Sequence, residues 1–443
     1  MSRRCVRTSE VDNSIWLDVR EDAFRRHLVE LEERTNAVPI APQIFDASNW
    51  SPIYPYATGC HHTLPLEIEM RLADDFACLA AVEEGAQSVA AVCIEEHTED
   101  AKLTLRFAAL DTTLNDTVQE ALREISSLLA VVSVQDTSTI PKSLDRLFTI
   151  VVRLHYRRLL ARLRSSKWEK PAYLSKSHKK PLWQDFKNVL HRVQFMYTKR
   201  EKRQRLVVEQ LLGELEQVYK QFDEASENDI ASLEGLVTSS YATITSPEIQ
   251  DYVTRLEASV GTLPTAQVAS AIKSLKQIQK VAAYRRICIS LLEIVQEYPQ
   301  LFDTGMLMDF VVPFQSVPTA IGYEEWATTC HVHAEIQLAV HYDLVFQNSQ
   351  PNFLPPRVIG VSKWLCYLCY QFLHAHGRLF PSRTHGRLYD QWTIPDLAEF
   401  GHDTMKRYRA AVKLVDMEVL RHIDCEPELR RLEPMTSNDV YGK

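Results

Sequence analysis

The sequence predicts a mostly α-helical protein with an α/β part toward its C-terminus, and three observations lead there. Glycine supplies only 12 of 443 residues, well under half the usual share of about 7%, which disfavours folds built on repeated glycine turns. Two long stretches of the middle third repeat apolar residues at the helical period. After Pro299 the texture changes to short apolar or alternating runs set between helical pieces, the pattern of a layered βα arrangement.

The bulk properties are those of a globular chain, 45% hydrophobic and 24% charged, long enough for two or three domains. Nine cysteines without dense, regular spacing do not make a disulfide framework, and Met1 to Cys5 opens no apolar signal core. A reducing, intracellular setting is therefore expected, cytoplasm or nucleus. No stretch approaches the about 18 apolar residues that a bilayer demands; the best, around Leu128–Val132, breaks at Gln135 and Asp136.

Element by element, residues 1–165 read as a helix-rich region without assignable chemistry. It holds a charged amphipathic start (Asp22 to Arg34), a passage with Pro39, Pro42, Pro52 and Pro55, and helix-like runs near Leu66–Ala81 and Leu114–Val134. The polar, basic stretch Lys167 to Lys180, with Pro171, reads as a connector. From Leu182 there is no Pro or Gly until Gly213, and Trp183, Phe186, Leu190, Val193 and Tyr197, then Val208, Leu211, Leu215, Val218 and Phe222, recur at helical spacing. A second such segment, with Val268, Ile272, Leu275, Ile278, Ala282 and Ile289 on one stripe, starts at Pro264 and stops before Pro299. Residues 166–300 are thus expected to form a helical hairpin or bundle. Residues 301–430 follow as a layered domain, with short strands at Met306–Phe314 and Arg357–Val361 and a long closing helix from about Asp396 to Ile423.

Charge is unevenly laid out: the net of -8 resolves into -12 over residues 1–152, +14 over 153–205 and -10 beyond. The basic zone is interleaved with Tyr156, Trp168, Tyr173, Trp183, Phe186, Phe195 and Tyr197, the kind of surface that attracts a phosphate backbone and offers rings to bases. It could equally be neutralised by the acidic N-terminal region, and Trp183, Phe186 and Tyr197 also lie on the helix's core stripe.

Several chemistries lose their usual support, because the chain contains no G-x-x-x-x-G-K-[ST], no G-x-G-x-x-G, no G-x-S-x-G and no H-E-x-x-H. What remains is His333-Ala334-Glu335, followed 31 residues after the glutamate by Cys366-Tyr367-Leu368-Cys369. If each cluster opens a helix, Cys366 and Cys369 face one side, and the helix N-terminus favours the thiolates that a metal needs. One imidazole and two thiolates make a three-ligand Zn2+ site with a fourth position for water. Zinc lowers the pKa of that water toward about 7, and Glu335, beside a ligand without being one, is placed to shuttle its proton. Arg357–Val361 as a buried strand, Ser362-Lys363 as a turn, and Trp364 to Gly377 as a helix ending on glycine supply the matching context.

With these residues the chain resembles the zinc-dependent nucleic acid and nucleotide deaminase superfamily, and within it the OTT-type deaminase-like proteins numerous in fungi. The resemblance rests on His333-Ala334-Glu335, on Gly360-Val361-Ser362-Lys363 before Cys366-Tyr367-Leu368-Cys369, and on Thr384-His385-Gly386-Arg387-Leu388-Tyr389 with Trp392 and Pro395. It spans the last third of the chain. It implies a cytidine-deaminase-like α/β/α domain, His333, Cys366 and Cys369 as zinc ligands, zinc-bound hydroxide as nucleophile, Glu335 as proton shuttle, and a nucleobase-containing substrate, free, nucleotide-borne or within a strand. Leu365 stands where most deaminases carry proline. His385 is read either as a hydrogen-bond donor to substrate or as a cap on its own loop.

Two other readings use the same cysteines. Cys330-His331-Val332-His333 also spells C-x-x-H, so Cys330, His333, Cys366 and Cys369 could form a closed Cys3His structural zinc site in a non-catalytic helical interaction protein. A thiol–disulfide pair near Trp364 is the other, although Leu365 intervenes and no βαβ start precedes it.

Overall fold

The computed structural model describes residues 13–51, 61–85, 89–97, 102–174, 180–225, 229–259 and 265–426. In chain order its elements begin with α1 (Glu21–Thr35), β1 (Gln43–Ile44), α2 (Leu66–Ala80), β2 (Ala90–His97), β3 (Leu103–Ala109) and α3 (Asp116–Ser133). Seven helices follow: α4 (Ile140–Leu154), α5 (Tyr156–Leu163), α6 (Phe186–Met196), α7 (Lys202–Glu224), α8 (Ile230–Thr245), α9 (Pro247–Ala258) and α10 (Ala266–Glu297). The chain then runs through β4 (Leu307–Phe310), β5 (Val317–Pro318), β6 (Thr329–Val332), α11 (Ala334–Asn348), β7 (Phe353–Leu354), β8 (Gly360–Val361), α12 (Tyr367–His376), β9 (Arg383–Thr384), β10 (Trp392–Thr393) and α13 (His402–Asp424). No helix among the described residues is long and apolar enough to cross a membrane.

Contacts divide the chain into two units, and the division differs from the one expected at residues 165 and 300. Among the described residues, one unit takes 13–81, 89–133 and 297–426, and the other takes Val82–Gly85 and Val134–Gln296. Most of the described residues up to Ser133 thus share a unit with the C-terminal segment instead of forming a region 1–165 of their own. The reason is β pairing: β2 and β3, which the sequence reading missed, are the middle of a sheet in which β4 pairs β3 in parallel and β7 and β8 pair β2 antiparallel. β2 is buried along all but its last residue. Its first five residues, Ala90–Ile94, are therefore a continuous apolar run without alternation, whereas Leu103-Thr104-Leu105-Arg106-Phe107 of β3 does alternate and went unread.

Side-chain alternation places helices on both faces of this sheet. Phe107, paired with Val92, turns toward α2, where the Phe76 ring lies 6.4 Å away. Ala91, Cys93 and Ala108 point the other way, into a core shared with Ile336, Ala339 and Val340 of α11 and Leu368 and Phe372 of α12. The expected α/β/α layering is present, but its α2 layer and two central strands come from residues 66–109. Two buried acids on α2 fasten the later strands: Glu69 takes the Arg357 Nε at 2.6 Å, and Asp74 accepts from the Val361 amide at 2.8 Å and from Arg383 at 2.7 Å.

Gly360 is where β8 meets α2 most closely, since a Cβ there would stand 2.1 Å from the carbonyl carbon of Ala73. Backbone cannot swing aside as a side chain can. Gly360→Ala is expected to lower stability by about 1–3 kcal/mol or more, measured as a drop in the chemical unfolding midpoint; an unchanged midpoint would show that α2 and β8 separate freely.

In the second unit the expected bundle is present, with α6, α7, α8 and α9 packed together and α7 running through Gly213 without a break. The expected start at Pro264 lies outside the described residues, as do Pro52 and Pro55. The single stripe expected on α10 holds only in its first half. From Val281 the helix is buried on nearly every side, while Ile272 and Ile289 are half-buried.

Candidate metal centre

The two clusters sit at helix starts, as their local sequence dictates. His333 is the N-cap of α11, with extended φ/ψ of -63° and 153°, so its ring stands off the end of the helix while Glu335 falls in the first turn. Cys366 is the N-cap of α12, and its sulfur accepts from the Cys369 amide at 3.3 Å. Both helices therefore aim N-terminal N–H groups and the positive end of their dipoles at one spot. Gly377, at φ 71°, closes α12 in the left-handed conformation that a side chain disfavours.

Although 33 residues separate the clusters, one ligand atom each from His333, Cys366 and Cys369 falls within 4.8 Å of the others. His333 Nδ1 lies 3.6 Å from the Cys366 sulfur and 3.4 Å from that of Cys369. Tetrahedral zinc, with bonds of about 2.0–2.1 Å to nitrogen and about 2.3 Å to sulfur, sets those edges at about 3.5 Å. The donor set fits that ion. Glu335, 3% exposed, lies beside it and accepts from the Cys369 sulfur at 3.5 Å.

Electrostatics within the cluster separate the two thiols. Burial opposes ionisation of Cys366, yet hydrogen bonds from the Cys369 thiol and amide and the charge of His333 hold it well below the usual thiol range. Cys369 is pushed well above that range, by burial and by the neighbouring Cys366. Burial also pushes the Glu335 carboxyl up, against the pull of His333. The indole N–H of Trp392, a residue of the trailing motif carried in on β10, donates to the Cys369 sulfur at 3.3 Å.

Cys330 takes no part in this cluster. On β6, Cys330 and Val332 point inward, while Thr329 and His331 alternate outward. Burial raises the Cys330 thiol to about 11, and its charged neighbours are Arg25, Glu21 and Asp390. Among the described residues the only group of three or more metal-ligating side chains is His333, Cys366 and Cys369, so the Cys3His reading loses its fourth ligand. Cys330→Ala is accordingly expected to leave bound zinc unchanged in elemental analysis; loss of the metal would restore the closed site.

Leu365 compensates for the proline that most deaminases have. Its N–H donates to the Arg383 carbonyl at 3.2 Å, and its own carbonyl accepts from the Thr384 hydroxyl at 2.8 Å and the His385 amide at 3.0 Å. Proline would forfeit the first of these bonds. Here a hydrogen-bonded bridge replaces ring stiffness. His385 has the capping role: its Nδ1 accepts from the Arg387 amide at 3.0 Å, and burial lowers its pKa to about 4, leaving the ring neutral.

Two side chains of the trailing motif, and one that the sequence reading did not single out, border the cluster. Tyr389 lies with its ring 6.1 Å from that of His333, and the Arg387 guanidinium covers Tyr389 at 5.1 Å. Asp111, just past β3, pairs with His331 Nδ1 at 3.0 Å, and its charge is felt by His333. Asp111 is 222 residues from His333 in the sequence, so nothing local links them.

Residues 332–396 match the OTT_1508-like deaminase family, so this segment is deaminase-like and includes the whole cluster. No curated protein and no solved structure matches the chain.

Proposed function

From a chain whose residues 332–396 are deaminase-like, we propose a zinc-dependent hydrolase that removes an exocyclic amine from a nucleobase. His333, Cys366 and Cys369 hold the metal, and Glu335 carries the protons. Convergence of one imidazole, two sulfurs and a buried carboxyl on two helix N-termini carries this reading. Zinc bound there supplies Lewis acidity and makes water acidic enough to act near neutral pH.

The chain's own groups do the rest. Glu335 takes a proton from the attacking water as its oxygen bonds to the amidine carbon, and delivers that proton to the ring nitrogen. It then takes the water's second proton to the departing amine, the C–N bond breaks, and ammonia leaves with a carbonyl in its place. Trp392 and the amide of Cys369 hold the sulfurs in position, and burial keeps bulk water from competing for the carboxyl. The Tyr389 ring and its Arg387 cover form a wall against which a planar base can lie.

The test begins with metal analysis of the purified chain, followed by an ammonia-release screen over nucleosides, nucleotides and single strands. One zinc per chain, and release that stops on chelation and returns with zinc, are expected. A zinc-loaded protein releasing no ammonia from any of them would remove the enzymatic reading.

A further inference from the structure

Most of the basic zone, residues 153–205, is absorbed by the fold. Phe186 and Tyr197 are buried, Trp168 and Tyr173 donate to Glu84, Trp183 donates to Asp223, and Arg164 and Lys180 both hold Asp185. What this accounting leaves is the α6–α7 corner. Between residues 187 and 206 stand seven Lys and Arg and one Glu, and that Glu201 is engaged by Arg255 at 2.9 Å and by Thr198. Lys187, Lys199, Arg200, Lys202 and Arg203 are exposed and, among the described residues, pair with no carboxylate.

In the middle of these charges stands an exposed aromatic ring. Phe195 is 58% exposed, with the Arg192 guanidinium 4.7 Å over it and the His191 ring 5.3 Å away edge-on. Arg192 is itself fixed by Gln267, so the ring is braced on one face while more than half of the side chain stays exposed. Lys187, His191 and Phe195, spaced by four, form the outward stripe of α6.

We infer that this corner binds single-stranded nucleic acid, the cations following the phosphates and Phe195 stacking on a base. Charge complementarity selects a polyanion, and one open aromatic ring among mobile cations selects a strand whose bases are unpaired. A membrane surface fits less well: Phe195 is alone on its stripe and only Leu206, 48% exposed, joins it on α7, whereas an interfacial helix needs a continuous apolar face. The inference stands independently of the metal centre.

The test is fluorescence anisotropy with labelled oligo(dT) and oligo(rU), a duplex of equal length, and vesicles of phosphatidylcholine with phosphatidylserine. Both single strands are expected to bind, since neither contact uses the 2′-hydroxyl. Engaging about five phosphates makes the affinity fall about 100-fold from 50 to 200 mM salt. Phe195→Ala should weaken binding about 5- to 150-fold, the loss of one stacked base, and Lys199→Glu with Arg203→Glu should flatten the salt dependence. Both sites are exposed, so zinc content and helical signal should stay as in the parent. Absence of binding, binding insensitive to Phe195→Ala, equal affinity for the duplex, or Phe195-dependent capture by the vesicles instead would each overturn it.

Discussion

Glu335→Gln is expected to keep one zinc per chain and to lower the proposed ammonia release by about 10²–10⁴-fold, the range that a positioned proton-transfer group contributes. Glutamine preserves the shape of a side chain that is 3% exposed in the first turn of α11, so packing changes little. His333, Cys366 and Cys369 are untouched, so the proposed metal is expected to stay. What disappears is the only buried carboxyl beside the cluster among the described residues that can accept a proton from water and return it to nitrogen. Turnover and zinc stoichiometry measured on the same preparation decide the matter. A rate within a few-fold of the parent would deprive Glu335 of its role, and lost zinc would make it part of the metal's support instead.

Asp343→Ala is expected to cost about 3–5 kcal/mol of stability, the effect of breaking a buried ion pair by removing one partner. Asp343 lies eight residues beyond Glu335 on α11 and is 1% exposed. It accepts from the His376 ring at 2.9 Å at the end of α12, from Arg378 at 2.5 Å, and from Arg407 of α13 at 3.5 Å. One carboxylate on α11 therefore ties together the two helices that carry the His-Cys-Cys cluster and joins them to α13. Burial alone would raise its pKa, but the His376 ring and the two guanidinium groups overcome that and hold it at about 2.

The sign of the pH dependence follows. A carboxyl with its folded pKa depressed contributes stability above its unfolded pKa, near 3.8, and loses it as pH falls toward about 2. Urea unfolding of the parent should weaken over that window, and Asp343→Ala should remove this part of the loss. A variant as stable as the parent near neutral pH, or with the same acid dependence, would show that the helices are held by packing alone.

Legibility followed the range of the interactions. His333, Glu335, Cys366 and Cys369 could be read because ligand chemistry fixes short spacings, and helix starts impose an N-cap and first turn on the same few residues. The helix ending at Gly377 was legible for the same reason. Misreading came where partners are remote. β2 begins with the unalternating apolar run Ala90–Ile94 because both its faces are covered, the alternation of Leu103-Thr104-Leu105-Arg106-Phe107 in β3 went unread, and α10 lost its stripe where it is buried nearly all round. Asp111 beside His331 carries no local signal, being brought there by the end of β3, and Trp392, though part of the trailing motif, becomes a sulfur partner only through the placement of β10.

By itself, the sequence determined the donor types, their placement on two helix starts, and the helical character of the middle third. These are local consequences of side-chain chemistry and the 3.6-residue period. Tertiary structure alone decided that most of the described residues up to Ser133 belong to the layered unit, that Cys330 stays out of the cluster, and that one buried aspartate braces both helices. Strand pairing, and the direction in which a buried side chain points, depend on partners hundreds of residues away, which no spacing along the chain encodes.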